Sequence, residues 1–390
     1  MTRPGRLAAA IAVPLAALLA AGCASPPAPA PPSTNAAPAS PLLNTAQQTA
    51  AGTWAAVVMG GSAADYDNFW QLFIRPAGST RWKLVTPPGT ADNGGLVLAG
   101  SAGQALVTGF RPSQTLAYTP LIQTSNGGQA WSSLNPLDAA LASTPDALAL
   151  SPGSGELLAL TAGAVQEAAP GYTTWTTLAS RQTLAATGPG RRCGLQALTA
   201  AAFSPSGTPM LAGPCARPGI TGIFTPADGT WQAAGPAVPS ALAGQQITVA
   251  RLTRTGPDMA ALLTAGSGSA ASLLAAWTAD GSHWTLSPPL PLHGTALTSA
   301  SFGPAGTAAI IAGKQGEIIT GAGARWQPLP PLPAGTAALA PGPGGADALA
   351  VHRGTLGVWQ FAPGGTSWAR AQVINVPIPY GSSSLGLAGK

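Results

Sequence analysis

Seven of the chain's eleven tryptophans return at a near-regular spacing, and that spacing limits the fold more than any other feature. Trp82, Trp131, Trp175, Trp231, Trp284, Trp326 and Trp368 lie 42–56 residues apart, each shortly after a glycine-containing turn. A period of about 40–50 residues marks an array whose unit is one small antiparallel sheet. A second pattern alternates with it: an apolar run, a Pro/Gly turn, then another apolar run. Ala147-Leu148-Ala149-Leu150 before Ser151-Pro152-Gly153 shows it, as does Ala201-Ala202-Phe203 before Ser204-Pro205-Ser206-Gly207. Short apolar runs bounded by turn formers read as strands buried on both faces.

Joined, the two patterns make a four-stranded blade, and seven copies fill the chain from near Trp54 to near its end. The expected fold is all-β, a seven-bladed β-propeller. Trp54, Trp70, Trp277 and Trp359 fall outside the period, which leaves six or eight blades open. An open solenoid of the same units would leave long unpaired sheet edges that a closed ring avoids. A strand from just before Trp54 is expected to complete the last blade.

The glycine turns carry a family resemblance. Thr124-Ser125-Asn126-Gly127-Gly128-Gln129-Ala130-Trp131 has an eight-residue spacing; Thr225 to Trp231, with Asp228, and Thr278 to Trp284, with Asp280, are shorter. These resemble the Asp-box of the bacterial neuraminidase repeat, Ser/Thr-x-Asp-x-Gly-x-x-Trp, with Asn126 standing for Asp. The resemblance implies a hairpin between the third and fourth strands of a blade. Its acid or amide would accept backbone N–H groups, and its tryptophan would fold back over its own blade. Asn126, Trp131, Asp228, Trp231, Asp280 and Trp284 are accordingly expected to be structural.

The first residues suggest an address. Arg3 and Arg6 precede an apolar stretch from Leu7 to Ala21, too short for a comfortable membrane span. It ends in Leu19-Ala20-Ala21-Gly22-Cys23, which resembles the lipobox of bacterial lipoprotein signal peptides, although Ala20 stands where that pattern prefers Leu. The resemblance implies cleavage after Gly22 and lipid attachment at Cys23. Residues 1–22 are thus expected to be a signal peptide and 23–51 a lipidated, Pro/Ala/Ser-rich disordered tether; 52–390 would be the propeller. The expected location is the outer face of a bacterial cytoplasmic membrane. The Ala-, Gly-, Pro- and Arg-rich usage is similar to that of a high-GC genome such as an actinobacterium's.

Composition agrees with an extracytoplasmic all-β protein. Charged residues are 7% of the chain, while Gly numbers 50 and Pro 40. The net charge of +5 reflects few acids, and the basic residues are scattered in sequence, with Arg191-Arg192 the adjacent pair. Nucleic-acid binding, which needs concentrated basic surface, is not expected. With Cys23 acylated, Cys193 and Cys215 remain as a disulfide or as two free thiols; they flank a segment that reads as a hairpin. No metal is expected, since His283, His293 and His352 are dispersed and two isolated cysteines lack ligand spacing.

Chemistry is sparse. A sialidase of the resembled class would use a Phe-Arg-Ile-Pro motif, further arginines and a Tyr–Glu pair. Here Phe73-Ile74-Arg75-Pro76 exchanges the middle residues, which in a strand turns the arginine to the other face. Gly365-Thr366-Ser367-Trp368-Ala369 approximates a nucleophile elbow but sits in a repeat hairpin, and Gly313-Lys314 lacks phosphate-loop spacing. The expected function is therefore non-enzymatic and cofactor-free: a membrane-anchored binding or scaffold lipoprotein holding a protein, peptide or glycan on a propeller face. The alternative is a sialidase-like glycoside hydrolase with a divergent site.

If Cys23 carries the anchor, Cys23→Ala should release the protein from membranes, because the acyl chains are the hydrophobic anchor left after cleavage. Full retention of the variant in the membrane fraction would contradict the assignment.

Overall fold

The computed structural model describes residues 46–60, 68–87, 96–101, 103, 105–110, 121–133, 145–161, 163–342, 345–352 and 354–376. Gly22 and Cys23 lie outside them. The strands form seven antiparallel sheets, the blades of a propeller. Blades 1 to 7 span residues 46–84, 96–133, 147–180, 200–233, 247–291, 297–328 and 336–375, each with four strands in sequential order. Blade 5 carries a fifth, Leu290–Pro291, paired with the start of its third strand. The extra tryptophans belong to blades already counted, so the number is seven.

The first strand of each blade lies innermost, where these strands touch one another across neighbouring blades. Alanine makes that convergence feasible: Ala147, Ala149, Ala200, Ala201, Ala202, Ala300, Ala338 and Ala340 are all buried on first strands. Small inward residues suit a narrowing ring. The core is divided into seven apolar clusters, one at each seam between adjacent blades, and each holds one periodic tryptophan.

Sequential antiparallel strands give the ring two distinct faces. First-to-second and third-to-fourth turns open on one, here the far face. Second-to-third turns and the connections between blades open on the other, the entry face, from which the chain enters its first strand.

That strand, Ala46–Thr49, corrects two expectations. It lies inside the segment read as tether, so the propeller begins at Ala46 and not at residue 52. It also does not complete the last blade, but pairs with Gly52–Gly60 of blade 1 in the register Ala46↔Ala55. Blade 7 already has its own outer strand, Ala369–Asn375, and leaves no place for a donated one.

Ala46–Thr49 reaches toward the ring axis, where its other edge is satisfied by distant blades. Ala46 N–H donates to Ser301 Oγ at 3.0 Å, and Ala46 O accepts from Arg251 Nη2 at 3.1 Å. Arg251 also donates to Ala300 O at 2.6 Å, while Thr253 Oγ1 donates to Gln47 Oε1 at 3.2 Å. Arg251 is buried with backbone carbonyls as its partners; burial pulls its pKa down to about 10, so it stays charged at neutral pH. The space left beside this strand is about 20 Å³, room for roughly one water.

Because no strand is exchanged, side chains and packing must close the ring between blades 7 and 1. Asp347 Oδ2 accepts from Arg75 Nη1 at 2.6 Å and from Trp82 Nε1 at 2.7 Å. Arg75 sits 5.6 Å from the centroid of the Trp82 ring, an attractive cation–π arrangement. Gln372 of blade 7 brackets the Trp82 backbone, accepting from its N–H and donating to its carbonyl, each at 2.9 Å. Asp347 is 3% exposed, so deleting it strands the buried Trp82 indole N–H and takes the counter-ion from a partly buried guanidinium. Asp347→Ala should cost about 3–5 kcal/mol in denaturant unfolding; a loss below about 1 kcal/mol, the scale of a surface pair, would show that the seam does not depend on it.

Candidate binding surfaces on the far face

The glycine turns that resemble the Asp-box lie on the far face, between third and fourth strands. In the copy ending at Trp131, Thr124 Oγ1 donates to Asn126 Oδ1 at 2.9 Å, and that oxygen accepts from Ala130 N–H at 3.0 Å. Asp280 does the same work more fully. Its Oδ1 accepts from Ser282 N–H at 2.7 Å and His283 N–H at 2.8 Å, and Oδ2 lies 2.6 Å from His283 Nδ1. The hydrogen bond from the His283 backbone, then its side chain and the Ser282 backbone, hold the Asp280 carboxyl far below the ordinary carboxylate range.

Asp228 departs from the expected role. It takes φ +50° beside Gly229 at φ +71°, forming the two-residue turn that pairs Ala227 with Thr230. Its carboxylate accepts no hydrogen bond among the described residues. The cause is spacing: Asp228 follows its threonine by three positions, whereas Asn126 and Asp280 follow theirs by two.

The tryptophans also depart from expectation. Each was expected to cover its own blade, but they wedge into the seam with the preceding one. Trp131 Nε1 donates to Val85 O of blade 1 at 3.1 Å, Trp284 to Ala234 O at 2.7 Å, and Trp368 to Pro330 O at 3.2 Å. Trp131 additionally meets Trp54 edge-on, with centroids 6.3 Å apart. Trp231 packs in the seam between blades 3 and 4, half-buried. The reason is geometric: several outer strands are two residues long, such as Ser132–Ser133 and Thr285–Leu286, and offer an indole little cover. The preceding blade presents a carbonyl just past its own last strand. These indoles are therefore tied to backbone and not laid open as a flat platform.

Beside a central hollow of about 250 Å³ at Gln48, Thr49, Gly100 and Arg254, two concavities over blade seams open on the same face. The larger, about 690 Å³, lies over the seam of blades 7 and 1. Its walls carry Gln48, Thr53, Ser79, Thr80, Gln360 and Phe361, with glycine-rich turns between. Arg75 and Asp347 form part of its lining, but Arg75 already donates to Asp347 and, at 3.3 Å, to Thr53 Oγ1. A guanidinium so occupied is not free to clamp a substrate carboxylate. Sequence reasoning noted Arg75 for its exchanged motif but missed Asp347, which lies 272 residues away and has no local signal. The smaller groove, about 330 Å³ between blades 4 and 5, is hydroxyl-rich, with Ser204, Ser206, Thr208, Thr225 and Ser282 beside Asp280.

On the entry face, Cys193 and Cys215 form a disulfide with Cα atoms 4.9 Å apart. It ties the connection between blades 3 and 4 to a second-to-third turn of blade 4. Among the described residues, no cluster of three or more His, Cys, Asp or Glu is placed to hold a metal ion.

No family model matches the sequence, and no curated protein does. Solved structures do share the architecture. A protein from Lactobacillus plantarum superposes with a TM-score of 0.50 at 11% identity, covering 83% of this chain and 96% of its own. The six-bladed fucose-recognising lectin of Aleuria aurantia gives 0.37 at 14% identity over 87% and 99%. The polysaccharide lyase Uly1 gives 0.40 at 11% over 86% and 90%. At 11% identity the likeness to the Lactobacillus plantarum protein bears on the fold and not on activity.

Two measurements check the turn assignments. Trp131→Ala should lower unfolding stability by about 3 kcal/mol, near the low end for a large aromatic because this indole is half-buried; an unchanged melt would return it to the surface-platform role. For Asp280, a depressed folded pKa contributes stability above the unfolded pKa that is lost as pH falls through the folded value. Its carboxyl carbon shift should therefore stay at the ionised value at acidities where ordinary carboxylates have titrated. A midpoint at the ordinary value would refute the staple.

Proposed function

We propose that this chain is a membrane-anchored extracytoplasmic binding or scaffold lipoprotein whose propeller holds a peptide or glycan on its far face. The observation that carries this reading is the groove of about 690 Å³ over the closing seam. Its volume is in the range of small-ligand sites, and its walls supply amides, hydroxyls and one aromatic. Its two charged groups neutralise each other, so the groove suits a neutral, hydrogen-bonding ligand better than an ionic one. The lipobox-like Leu19-Ala20-Ala21-Gly22-Cys23 and the Asp-box-like turns support the lipoprotein and repeat-class parts of the reading. The glycosidase alternative loses support from the occupied guanidinium of Arg75.

Filling the groove tests it. Thr80→Trp and Ala362→Trp place an indole at exposed positions of its wall without touching the core. Affinity capture from membranes with the tether intact should recover partners with the wild type. Recovery should fall at least tenfold with either variant, at an unchanged melting temperature. Equal recovery by wild type and both variants would remove the groove from the function.

A further inference from the structure

The disulfide does more than staple the fold. It gathers arginines that are scattered in sequence. After the last strand of blade 3, Ser180 caps a short helix α1 (Arg181–Ala185), and Thr187 caps α2 (Gly188–Cys193), which ends at Gly194 with φ +66°. Leu184, Cys193, Leu195 and Cys215 bury this lobe's inner side in the seam core. Past the disulfide, Ala216 N–H donates to Gly194 O at 3.0 Å and Arg217 N–H to Cys193 O at 3.1 Å. Arg217 is thereby held against the end of α2, next to Arg191 and Arg192. All three are exposed, as is Arg181 at the lobe's start. Arg191 donates to Ala186 O, which leaves its charge intact.

Among the described residues no ion pair neutralises this cluster. From residue 168 to residue 227 the chain contains no Asp or Glu, and none of the four arginines forms an ion pair among the described residues. The lobe lies in a blade-to-blade connection and a second-to-third turn, so it occupies the entry face, the face from which the chain enters Ala46–Thr49. We propose that this disulfide-stapled lobe docks on a membrane surface rich in anionic phospholipid headgroups, setting the entry face toward the bilayer and the far-face groove away from it. Rigid arginines without counter-ions suit a sheet of phosphates. The proposal rests on the membrane-anchored reading, and its test is separable from it.

The full chain carrying Cys23→Ala cannot be lipidated and isolates the electrostatic contribution. It is mixed with vesicles of phosphatidylcholine alone, or of phosphatidylcholine with phosphatidylglycerol, and partitioning is measured. We expect a preference for the anionic vesicles that high salt abolishes. A basic group near such a surface contributes roughly fivefold, so Arg191→Gln/Arg192→Gln/Arg217→Gln should lose on the order of 100-fold of the preference. The far-face variant Arg81→Gln/Arg325→Gln should keep it, and the leader's own charges are common to all variants. Should the triple variant melt early, Arg217→Glu in its loop reads the same preference. No anionic preference, a preference that survives the triple variant, or one lost with the far-face pair would each overturn the proposal. Failure of the lipid anchor would appear elsewhere, as an unmodified Cys23 in the mass of the mature protein.

Discussion

A ring of blades without an exchanged strand has one seam that the chain does not cross, and the rest of this structure depends on how it is held. Asp347 does this from the second strand of blade 7, gripping Arg75 and the Trp82 indole of blade 1 with one carboxylate oxygen. The other six seams are joined by the polypeptide itself. At the seventh, a partly buried charge pair, a cation–π contact and the Gln372 bracket stand in for covalent continuity. The central strand Ala46–Thr49 adds a second form of closure. It bonds to blades 5 and 6 across the axis, so opening the seam would also disturb the hub.

The periodic tryptophans solve the same problem at every seam. Adjacent sheets must pack face to face, and the outer ends of blades are where the faces diverge and water enters. An indole anchored by its own hairpin fills that wedge and uses its N–H on a carbonyl of the neighbour, as Trp131, Trp284 and Trp368 do. At those three seams, indole burial combined with a satisfied donor explains why tryptophan suits the position better than phenylalanine. The Asp-box turn serves this arrangement, since a rigid hairpin holds the ring at a fixed angle. Its acid is a backbone staple in the Asp280 copy; the Asp228 copy reaches a tight turn through backbone conformation alone.

The two faces differ in character. The far face carries the glycine turns that lead to the tryptophans, the two seam grooves and, among the described residues, the turn acids Glu156, Asp228, Asp258 and Asp280. The entry face carries the disulfide and the arginine lobe. Between them the space beside the central strand narrows to about 20 Å³. This polarity follows from topology, because one strand order sends every first-to-second turn to the same side.

How much was legible in the sequence depended on distance along the chain. Glycine turns, apolar runs and returning tryptophans are local, and they determined an all-β propeller repeat, whereas the choice of seven blades over six or eight came with the strand pairing. The spacing of threonine to acid could even have separated Asp280 from Asp228, since a carboxylate two residues after the threonine reaches the next N–H groups and one placed three after sits in the turn itself. The pairing of Cys193 with Cys215 was legible as one of two outcomes, because both flank one short segment. What only the tertiary structure decided is everything that crosses the ring: Asp347 meeting Arg75 and Trp82, Ala46–Thr49 filling the axis, indoles covering the neighbouring blade, and Arg217 brought beside Arg191 and Arg192. A repeat encodes its unit in residues a few places apart, whereas the closure of seven units is set by side chains hundreds of residues apart, which no local pattern records.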